Sequence, residues 1–445
     1  MLVIIHGWSD THRSFTRLGK YLAAEGIIPD VRHVRLGDYV SLDDDITFDD
    51  LIHALNRAWE SEQLPTAPRS VDVIVHSTGA LVVRYWMTTF FTPSTNPLKR
   101  LLMLAPANFG SPLAHKGRSF VGRVVKGFKS DRRFHTGTHI LKGLELASPF
   151  SWQLALRDRF ADDPWYGPGR VLCTVLVGTA GYSGISAAAN ENGTDGTVRV
   201  STADLNPLLI RFDFASDPDN PRLALVASAG ETAFARIPGD NHSTLAFKDR
   251  GPKNAAVLGF VREALQMTDE EFPAFVARLK VFSAAAREEG AGKTHTQGYQ
   301  NTVVRLMDDT QAFVPDYFWE MFAKSRDEKR LDNRLTGVIQ EDIFDKTHAY
   351  GDNPAYRSLL FNTTLLRDRV MSAGIPLFVS VTAMPDVRET GTVGYSTVGY
   401  DDIGSIKLTP ERLMELFKPD RTVLIDMQIK RMQTDKVFRL LGVGL

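Results

Sequence analysis

The sequence predicts an α/β protein with two domains: an N-terminal core built on a mostly parallel β-sheet, and a C-terminal, mainly antiparallel β-sandwich. Over about the first 270 residues, apolar strand-like segments alternate with helix-like segments, which favours a parallel sheet covered by helices. From about residue 296 the chain changes to extended segments of alternating polarity. A chain of 445 residues, 43% of them hydrophobic, also exceeds one ordinary core.

The predicted N-terminal core has short apolar strands, and the helices between them carry apolar residues at helical spacing. We expect strands at residues 2–5, 31–36, 71–75, 100–104 and 171–177, and a bent sixth region from 223–226. We expect helices at residues 11–25, 48–61, 80–91 and 257–265. Residues 111–168 interrupt this rhythm as a mostly helical lid, and residues 178–222 are predicted to be loops.

These patterns divide the chain into three parts. Residues 1–268 form the α/β domain, residues 269–295 a connecting helix or linker, and residues 296–445 the β-sandwich-like domain. Within the last part, residues 422–431 mix polar and apolar positions in the alternation of a half-buried strand.

Composition excludes several classes of protein. Lys and Arg number 52 against 53 Asp and Glu, a net charge of −1, which disfavours a dedicated nucleic-acid binder. The single Cys173 excludes a disulfide scaffold. No apolar run is long enough to suggest a membrane span. The first residues resemble a core strand rather than a signal peptide, so we expect a cytoplasmic protein, with signal-independent export as the alternative.

The strongest local motif follows the third predicted strand, which runs into His76-Ser77-Thr78-Gly79 and then a helix-like segment. This resembles the nucleophile elbow of the α/β-hydrolase superfamily, in which a serine occupies a sharp strand-to-helix turn. Gly79 supplies the small residue after the serine, whereas Val75 stands where the family usually has glycine. The alternative is that Ser77 only caps the following helix.

The resemblance implies the chain order serine, acid, histidine. His242 lies in a polar turn after a strand and before a helix, where such folds carry the catalytic histidine; His6 and His76 are the alternatives. Asp195 begins an Asp-Gly-Thr-Val string that resembles the acid loop of many lipases. The same string is also an ordinary turn sequence, and the competing carboxylates are Asp204, Asp213 and Asp240.

The resemblance also implies the role of each residue. Ser77 would attack an acyl carbonyl, His242 would take its proton and later give it to the leaving alcohol, and Asp195 would orient the imidazole. The segment His6-Gly7-Trp8 resembles the His-Gly loop that follows an early strand in lipases. The peptide N–H groups of Trp8 and Thr78 are therefore the expected oxyanion-hole donors, and a simple strand-ending turn is the alternative.

A further segment supports the same family. Residues 104–112 read Leu-Ala-Pro-Ala-Asn-Phe-Gly-Ser-Pro, which resembles the segment before the lid in bacterial lipases and in the GPI-inositol-deacylase-like group. The resemblance covers residues 1–268 and implies a serine carboxylester hydrolase acting on acyl lipids, as a lipase, phospholipase or esterase. The alternatives are an acyltransferase, a small-ester or amide hydrolase, and a non-catalytic binding adaptor.

Neither a cofactor nor a metal is expected. The sequence has no phosphate-binding or dinucleotide-binding glycine motif, and the pair His135 and His139 lacks the glutamate of a metalloprotease helix.

The predicted lid is strongly basic. Between residues 111 and 144 it carries eight Lys or Arg and one Asp, a net charge of +7, with apolar residues at helical spacing among them. A basic amphipathic helix is typical of peripheral contact with anionic membranes, and the alternative is a solvated helix packed on the core. We expect the C-terminal domain to dock lipid or a partner protein, by analogy with other lipases. A lipase effector of type VI secretion is a second-rank alternative.

Overall fold

The structure is a computed structural model that describes residues 1–5, 15–24, 26–27, 31–34, 45–114, 137–248, 251–325, 327–384, 398 and 403–431. Elements are numbered over these residues. The strands are β1 Leu2–Ile5, β2 Val31–Val34, β3 Val71–His76, β4 Leu98–Leu104, β5 Leu172–Gly178, β6 Leu208–Phe214, β7 Arg222–Ala227, β8 Ala233–Ile237, β9 Tyr299–Asp308, β10 Tyr317–Ala323, β11 Phe344–Ala349, β12 Tyr356–Asn362, β13 Leu377–Ala383, β14 Ile406–Leu408 and β15 Thr422–Ile429.

The helices alternate with the strands in the N-terminal part of the chain. They are α1 Thr16–Ala24, α2 Phe48–Ser61, α3 Gly79–Phe90, α4 Thr138–Leu144, α5 Pro149–Asp158, α6 Val200–Ala203, α7 His242–Leu245, α8 Ala256–Gln266, α9 Phe272–Gly290, α10 Asn333–Val338, α11 Thr363–Arg369 and α12 Pro410–Leu416. Short 3-10 turns lie at Gly184–Ala189, Thr294–Thr296 and Met371–Ala373, and a π-turn at Ile339–Ile343. Among the described helices, none is long and apolar enough to cross a membrane.

The first sheet has six strands in the order β2-β1-β3-β4-β5-β8, and every neighbouring pair is parallel. This confirms the predicted α/β core. β3 is buried along its whole length, as expected for a strand covered by helices on both faces. The carboxyl ends of parallel strands meet at one edge, so the loops after β3, β5 and β8 are brought together there.

A buried ion pair fixes the helix that follows β3. Arg84 on α3 donates from Nε and Nη2 to the Asp158 carboxylate on α5, at 2.7 and 2.9 Å. Its Nη1 donates to the carbonyl of Asn108 at 3.1 Å, in the loop after β4. Because both charged side chains are fully buried, losing either partner would leave an uncompensated charge inside the protein.

Part of the predicted lid packs into the core. In α4, Ile140 is buried, and in α5, Trp152 and Leu154 are buried with it. Ser148 caps α5 by accepting from the N–H of Phe150. The basic residues between 115 and 136 lie outside the described residues, so the amphipathic lid helix stays a prediction.

The chain divides into two compact units whose boundaries differ from those expected. The first contains Met1–Pro207, Ala227–Tyr299 and Pro419–Thr422, and the second contains Leu208–Val226, Gln300–Lys418 and Val423–Leu445. The helix predicted in residues 269–295 exists as α9, but it belongs to the first unit, where Phe275 and Leu279 are buried in the hydrophobic core.

The second unit contains two sheets. One has the order β10-β13-β14 and is antiparallel throughout, and the other has the order β11-β12-β9-β15-β6-β7. Both contribute to one hydrophobic core, so the predicted separate sheet-rich domain with antiparallel pairing is confirmed.

Two local expectations are corrected. Residues 208–214, expected to be loop, form β6, and residues 223–226, expected in the first sheet, belong to β7. β6 pairs in parallel with β15, which lies more than 200 positions later in the chain, and that partner cannot be seen in the local pattern. The sixth strand of the first sheet is β8 instead.

Candidate active site

Ser77 occupies the turn between β3 and α3 with a left-handed backbone, φ 54°. A non-glycine residue rarely adopts this conformation, and where it does the surrounding structure must hold it. The Ser77 N–H donates to the carbonyl of Leu104, the last residue of the neighbouring strand β4, at 3.2 Å. The α3 N-cap is Thr78 and has no side-chain cap hydrogen bond, so Ser77 does not have the capping role considered as the alternative.

Val75 stands two residues before Ser77, where the family usually has glycine. Its side chain is accommodated because it packs into the hydrophobic core and not into the turn. It is fully buried on β3, in the same hydrophobic cluster as Val73 and Trp86. The departure from the family pattern therefore leaves the tight turn at Ser77 intact.

His242 brings its imidazole to the serine. Nε2 lies 3.1 Å from the Ser77 Oγ, and Nδ1 lies 3.0 Å from Oδ2 of Asp195. The residue begins α7, whose cap Asn241 accepts from the N–H groups of Ser243 and Thr244. The cap fixes the chain direction just before the imidazole, so the ring enters the site from a rigid turn.

Asp195 is buried and held on both sides. Its Oδ1 accepts from the backbone N–H groups of Thr197 and Val198 at 2.9 and 2.8 Å, which leaves Oδ2 for the imidazole. The His242 N–H also donates to the Asp195 carbonyl at 3.0 Å, a second link between the two loops. Gly196 has φ 95°, and a Cβ there would come within 2.6 Å of the Tyr182 ring. The glycine therefore permits both the turn and the close approach.

The segment before the lid is tied to this acid loop. Ser111 Oγ donates to the Thr197 carbonyl at 2.6 Å, one residue after Gly196. Gly110 has φ 90°, and a Cβ at this position would meet the Glu145 carbonyl at 2.7 Å. The Gly-Ser pair of the motif thus has a structural reason in this chain, because it lets the backbone pass closely and anchors the loop that bears Asp195.

The competing carboxylates lie elsewhere. Asp240 accepts from Thr244 Oγ1 and from the N–H groups of Lys253 and Asn254, so it stabilises the turn. Asp204 accepts from Asn206, and burial raises the pKa of Asp204 to about 6. Asp213 lies on β6, in the second unit. Within the described part of the chain, the structure brings Asp195 alone of the four to the His242 ring.

His76 contacts the backbone of His242 rather than Ser77. Its Nε2 lies 3.2 Å from the His242 carbonyl oxygen, and the two rings lie 4.6 Å apart. A carbonyl only accepts, so Nε2 carries the proton and donates. His76 is buried, and Phe15 contacts it edge-on. No feature of the sequence pointed to this contact.

Residues after α9 support the acid loop as well. The N–H of Gly193 donates to the His295 carbonyl at 3.0 Å, and a Cβ on Gly193 would meet the Tyr299 ring at 2.7 Å. Burial lowers the pKa of His295, so its ring is neutral at neutral pH. Sequence reasoning missed this support, because residues 269–295 appeared to be a linker.

The expected oxyanion hole is described in part. Thr78 begins the α3 turn, and first-turn N–H groups have no partner within their own helix, so this N–H is available to a ligand. Trp8, His6 and Gly7 lie outside the described residues, and their expected roles stay predictions.

Other chemistry finds little support. Burial raises the pKa of the Cys173 thiol to about 12, so it is not a nucleophile near neutral pH. In the part of the chain that the structure describes, no group of three His, Cys, Asp or Glu could hold a metal ion. His139 is exposed, and its proposed companion His135 lies outside that part.

The fold and the arrangement around Ser77 are those of an α/β hydrolase, and a family model agrees. The model described as "Alpha/beta hydrolase family" matches residues 2–252, more than half of the chain. The chain belongs to this family. Comparison with curated proteins gives no match.

Two solved structures resemble the whole chain. Phospholipase PlaB from Legionella pneumophila shares 22% sequence identity, covering 100% of this chain and 97% of that chain, with a TM-score of 0.80. The same protein in complex with thio-NAD shares 23% identity over 100% and 96%, with a TM-score of 0.78. At this identity the likeness concerns the fold, and it extends to the C-terminal unit, for which the sequence offered no family.

Proposed function

We propose that the chain is a serine carboxylester hydrolase that acts on acyl lipids through an acyl-enzyme on Ser77. The observation that carries the proposal is the relay of Ser77, His242 and Asp195, whose two hydrogen bonds measure 3.1 and 3.0 Å. Ser77 is partly exposed while both partners are buried, so the nucleophile can reach a substrate. The likeness in fold to a phospholipase supports the choice of acyl lipids.

The mechanism follows from these contacts. Ser77 Oγ attacks the ester carbonyl carbon as His242 Nε2 takes the hydroxyl proton, and Asp195 stabilises the imidazolium. The N–H groups of Thr78 and Trp8 would stabilise the oxyanion. When the C–O bond to the alcohol breaks, His242 returns the proton to the leaving oxygen. A water molecule, activated by the same imidazole, then releases the carboxylic acid and restores Ser77.

Fluorophosphonate labelling tests the nucleophile directly. We expect the wild-type protein to label and the Ser77→Ala variant not to label. Ser243→Ala is the matched control, because Ser243 adjoins His242 while the two ring nitrogens bond Asp195 and Ser77, and this variant should label like wild type. Labelling that persists in Ser77→Ala would end the Ser77 assignment, and a wild-type protein that does not label would favour the non-catalytic adaptor.

The acid has its own test. Asp195→Asn should lower kcat for p-nitrophenyl esters by two to four orders of magnitude, roughly the loss seen when an aspartate of such a relay is replaced. Circular dichroism should show an unchanged fold. Asp240→Asn is a poor control because it breaks a buried turn, so Asp162→Asn, which changes an exposed carboxylate of the first unit, serves instead. Turnover near wild type in Asp195→Asn would contradict the relay.

The substrate class is tested by varying the length of the acyl chain and the acceptor of the acyl group. Activity should rise from acetyl toward longer acyl esters and respond to vesicles, and a peak at acetyl would contradict the lipid assignment. Adding a primary alcohol distinguishes an acyltransferase from a hydrolase. In an acyltransferase, transfer of the acyl group to the alcohol would be faster than release of the free acid.

Membrane contact is tested by charge reversal within the basic segment. Changing Arg123, Lys126 and Lys129 to Glu should weaken binding to anionic phosphatidylglycerol vesicles more than to neutral phosphatidylcholine vesicles. The charge-matched control reverses Lys329, Arg330 and Arg334, which are exposed in the second unit. If both triple variants lose vesicle binding equally, the effect is due to net charge alone and not to the basic segment.

A further inference from the structure

The second unit contains a pocket of about 300 Å³, and its lining residues differ from the residues assigned above. Tyr317, Phe318, Trp319 and Phe344 supply aromatic walls, and Arg357 supplies a cation. Phe318 is 55% exposed, so the pocket is open at one side. Among the described residues that line it, none is acidic. A pocket with apolar walls and a few convergent polar groups is the usual form of a small-molecule site.

Arg357 is held rigidly but its charge is not neutralised. Its Nε donates to the Pro354 carbonyl at 3.2 Å and its Nη2 to the Pro315 carbonyl at 2.8 Å, while Nη1 donates to the Tyr317 carbonyl. The guanidinium carbon lies 4.0 Å from the centre of the Tyr317 ring. Within the described residues no carboxylate pairs with it. Two of its five N–H groups remain for a ligand in a fixed direction.

The other polar groups of the pocket, like Arg357, favour a ligand that accepts hydrogen bonds. The Trp319 indole N–H is buried and has no hydrogen-bond partner among the described atoms. Gln340 adds an amide and Thr347 a hydroxyl. An indole N–H only donates, so with the guanidinium the pocket offers donors to an acceptor-bearing, negatively charged group.

The wall geometry favours an alkyl chain over a stacked ring. One face of Tyr317 is covered by Arg357, and Trp319 makes edge-to-face contacts with Phe344 and Phe361 at 5.9 and 5.7 Å. Few open ring faces are left for stacking, whereas a flexible chain fills apolar space of any outline. From these contacts we infer that the pocket binds the anion of a medium- or long-chain fatty acid, with the carboxylate toward Arg357 and the chain among the aromatic walls.

The inference does not depend on the activity proposed for Ser77, because it concerns different residues. Calorimetric titration of the full-length protein with sodium decanoate, below its micelle concentration, tests it. We expect saturable binding that Arg357→Gln weakens at least tenfold. 1-Decanol, which has the same chain without the charge, should also bind at least tenfold more weakly. Arg367→Gln is the matched control, because Arg367 is an exposed arginine of the same unit and should leave binding unchanged.

A second variant keeps the test decisive if Arg357→Gln fails to fold. Thr347 is exposed on β11, so Thr347→Trp can obstruct the pocket without disturbing the core, and it should also abolish the tenfold preference for decanoate. A decanoate site near Ser77 would be untouched by either change. The inference is overturned if wild type shows no saturable binding, if decanol binds as tightly as decanoate, or if binding persists in Thr347→Trp.

Discussion

At the level of single residues, the site depends on how closely His242 is held. Its ring contacts Ser77 and Asp195, its N–H donates to the Asp195 carbonyl, and its own carbonyl accepts from His76. These four contacts, made with three residues, restrict both the backbone and the ring of His242. A general base, the role proposed for His242, must be placed to within a fraction of an ångström, so we expect the neighbours that hold its backbone to influence the rate.

We predict that His76 is a positioning residue. His76→Leu removes the donor to the His242 carbonyl and should slow fluorophosphonate labelling of Ser77, and kcat for esters, by about 10- to 100-fold with little change in KM. His76→Gln keeps an N–H near the place of Nε2 and should recover most of the rate. Equal losses in both variants would mean that His76 only fills space.

Asp204 gives a pH-dependent prediction. Burial raises its pKa to about 6, from 3.8, so between about pH 4 and 6 the folded protein holds a proton that the unfolded chain has released. The free energy of unfolding therefore falls as the pH rises through this window and stays lower above it. Asp204→Asn should raise stability at pH 8 by up to about 3 kcal/mol, and the gain should vanish by pH 4. Thermal melts across this range measure it.

Asp213 provides a control of opposite sign. Burial would raise its pKa, but hydrogen bonds from Ser216 and Ala215 outweigh burial and lower the pKa. Asp213→Asn should therefore destabilise the protein near neutral pH, and this loss should shrink as the pH falls through the acid range. If the two variants shift stability in the same direction with pH, the environment assigned to Asp204 is wrong.

At the level of elements, the carboxyl end of the first sheet requires close backbone contact. A Cβ on Gly178, the last residue of β5, would lie 2.2 Å from the carbonyl oxygen of Asp240. That carbonyl accepts from the Ala180 N–H at 2.9 Å. The turn that leads to His242 is therefore packed directly against the strand end, where a side chain has no room.

We predict opposite results at two glycines. Gly178→Ala should destabilise the protein by about 1–3 kcal/mol, because backbone atoms must move, and it should lower kcat by displacing His242. Gly259→Ala, at an exposed position near the start of α8 where an added Cβ would meet open space, should stabilise by about 0.5–1 kcal/mol. Chemical unfolding with activity assays tests both. Unchanged activity in Gly178→Ala would show that the turn tolerates the shift.

At the level of the whole molecule, the first unit is completed by segments far along the chain. α9 buries Phe275, Val276 and Leu279 in the core of that unit. Asp420 accepts from Arg236 at 3.0 Å and from Arg287 at 2.7 Å. Since a domain is marginally stable by about 5–15 kcal/mol, losing three buried apolar side chains removes a comparable amount.

We predict that a chain ending at residue 268 does not fold cooperatively, although the family match ends earlier, at residue 252. The absence of a sharp thermal transition in this truncated chain is the expected result, and a melt like that of the full chain would contradict it. In the full chain, Phe275→Ala should cost about 3–5 kcal/mol, whereas Val281→Ala, on the same helix and 71% exposed, should cost almost nothing.

Local patterns predicted the alternation of strands and helices and the turn at Ser77, because apolar periodicity and turn chemistry are written in neighbouring residues. The order serine, acid, histidine came from the family resemblance. The folded chain added the contact between His242 and Asp195, which was already the first candidate for the acid. It also supplied the pairing of β6 and β7, and the support that His76 and residues 291–299 give the site. Those features join residues tens to hundreds of positions apart, and no local preference encodes such a pairing because it depends on packing of the whole core.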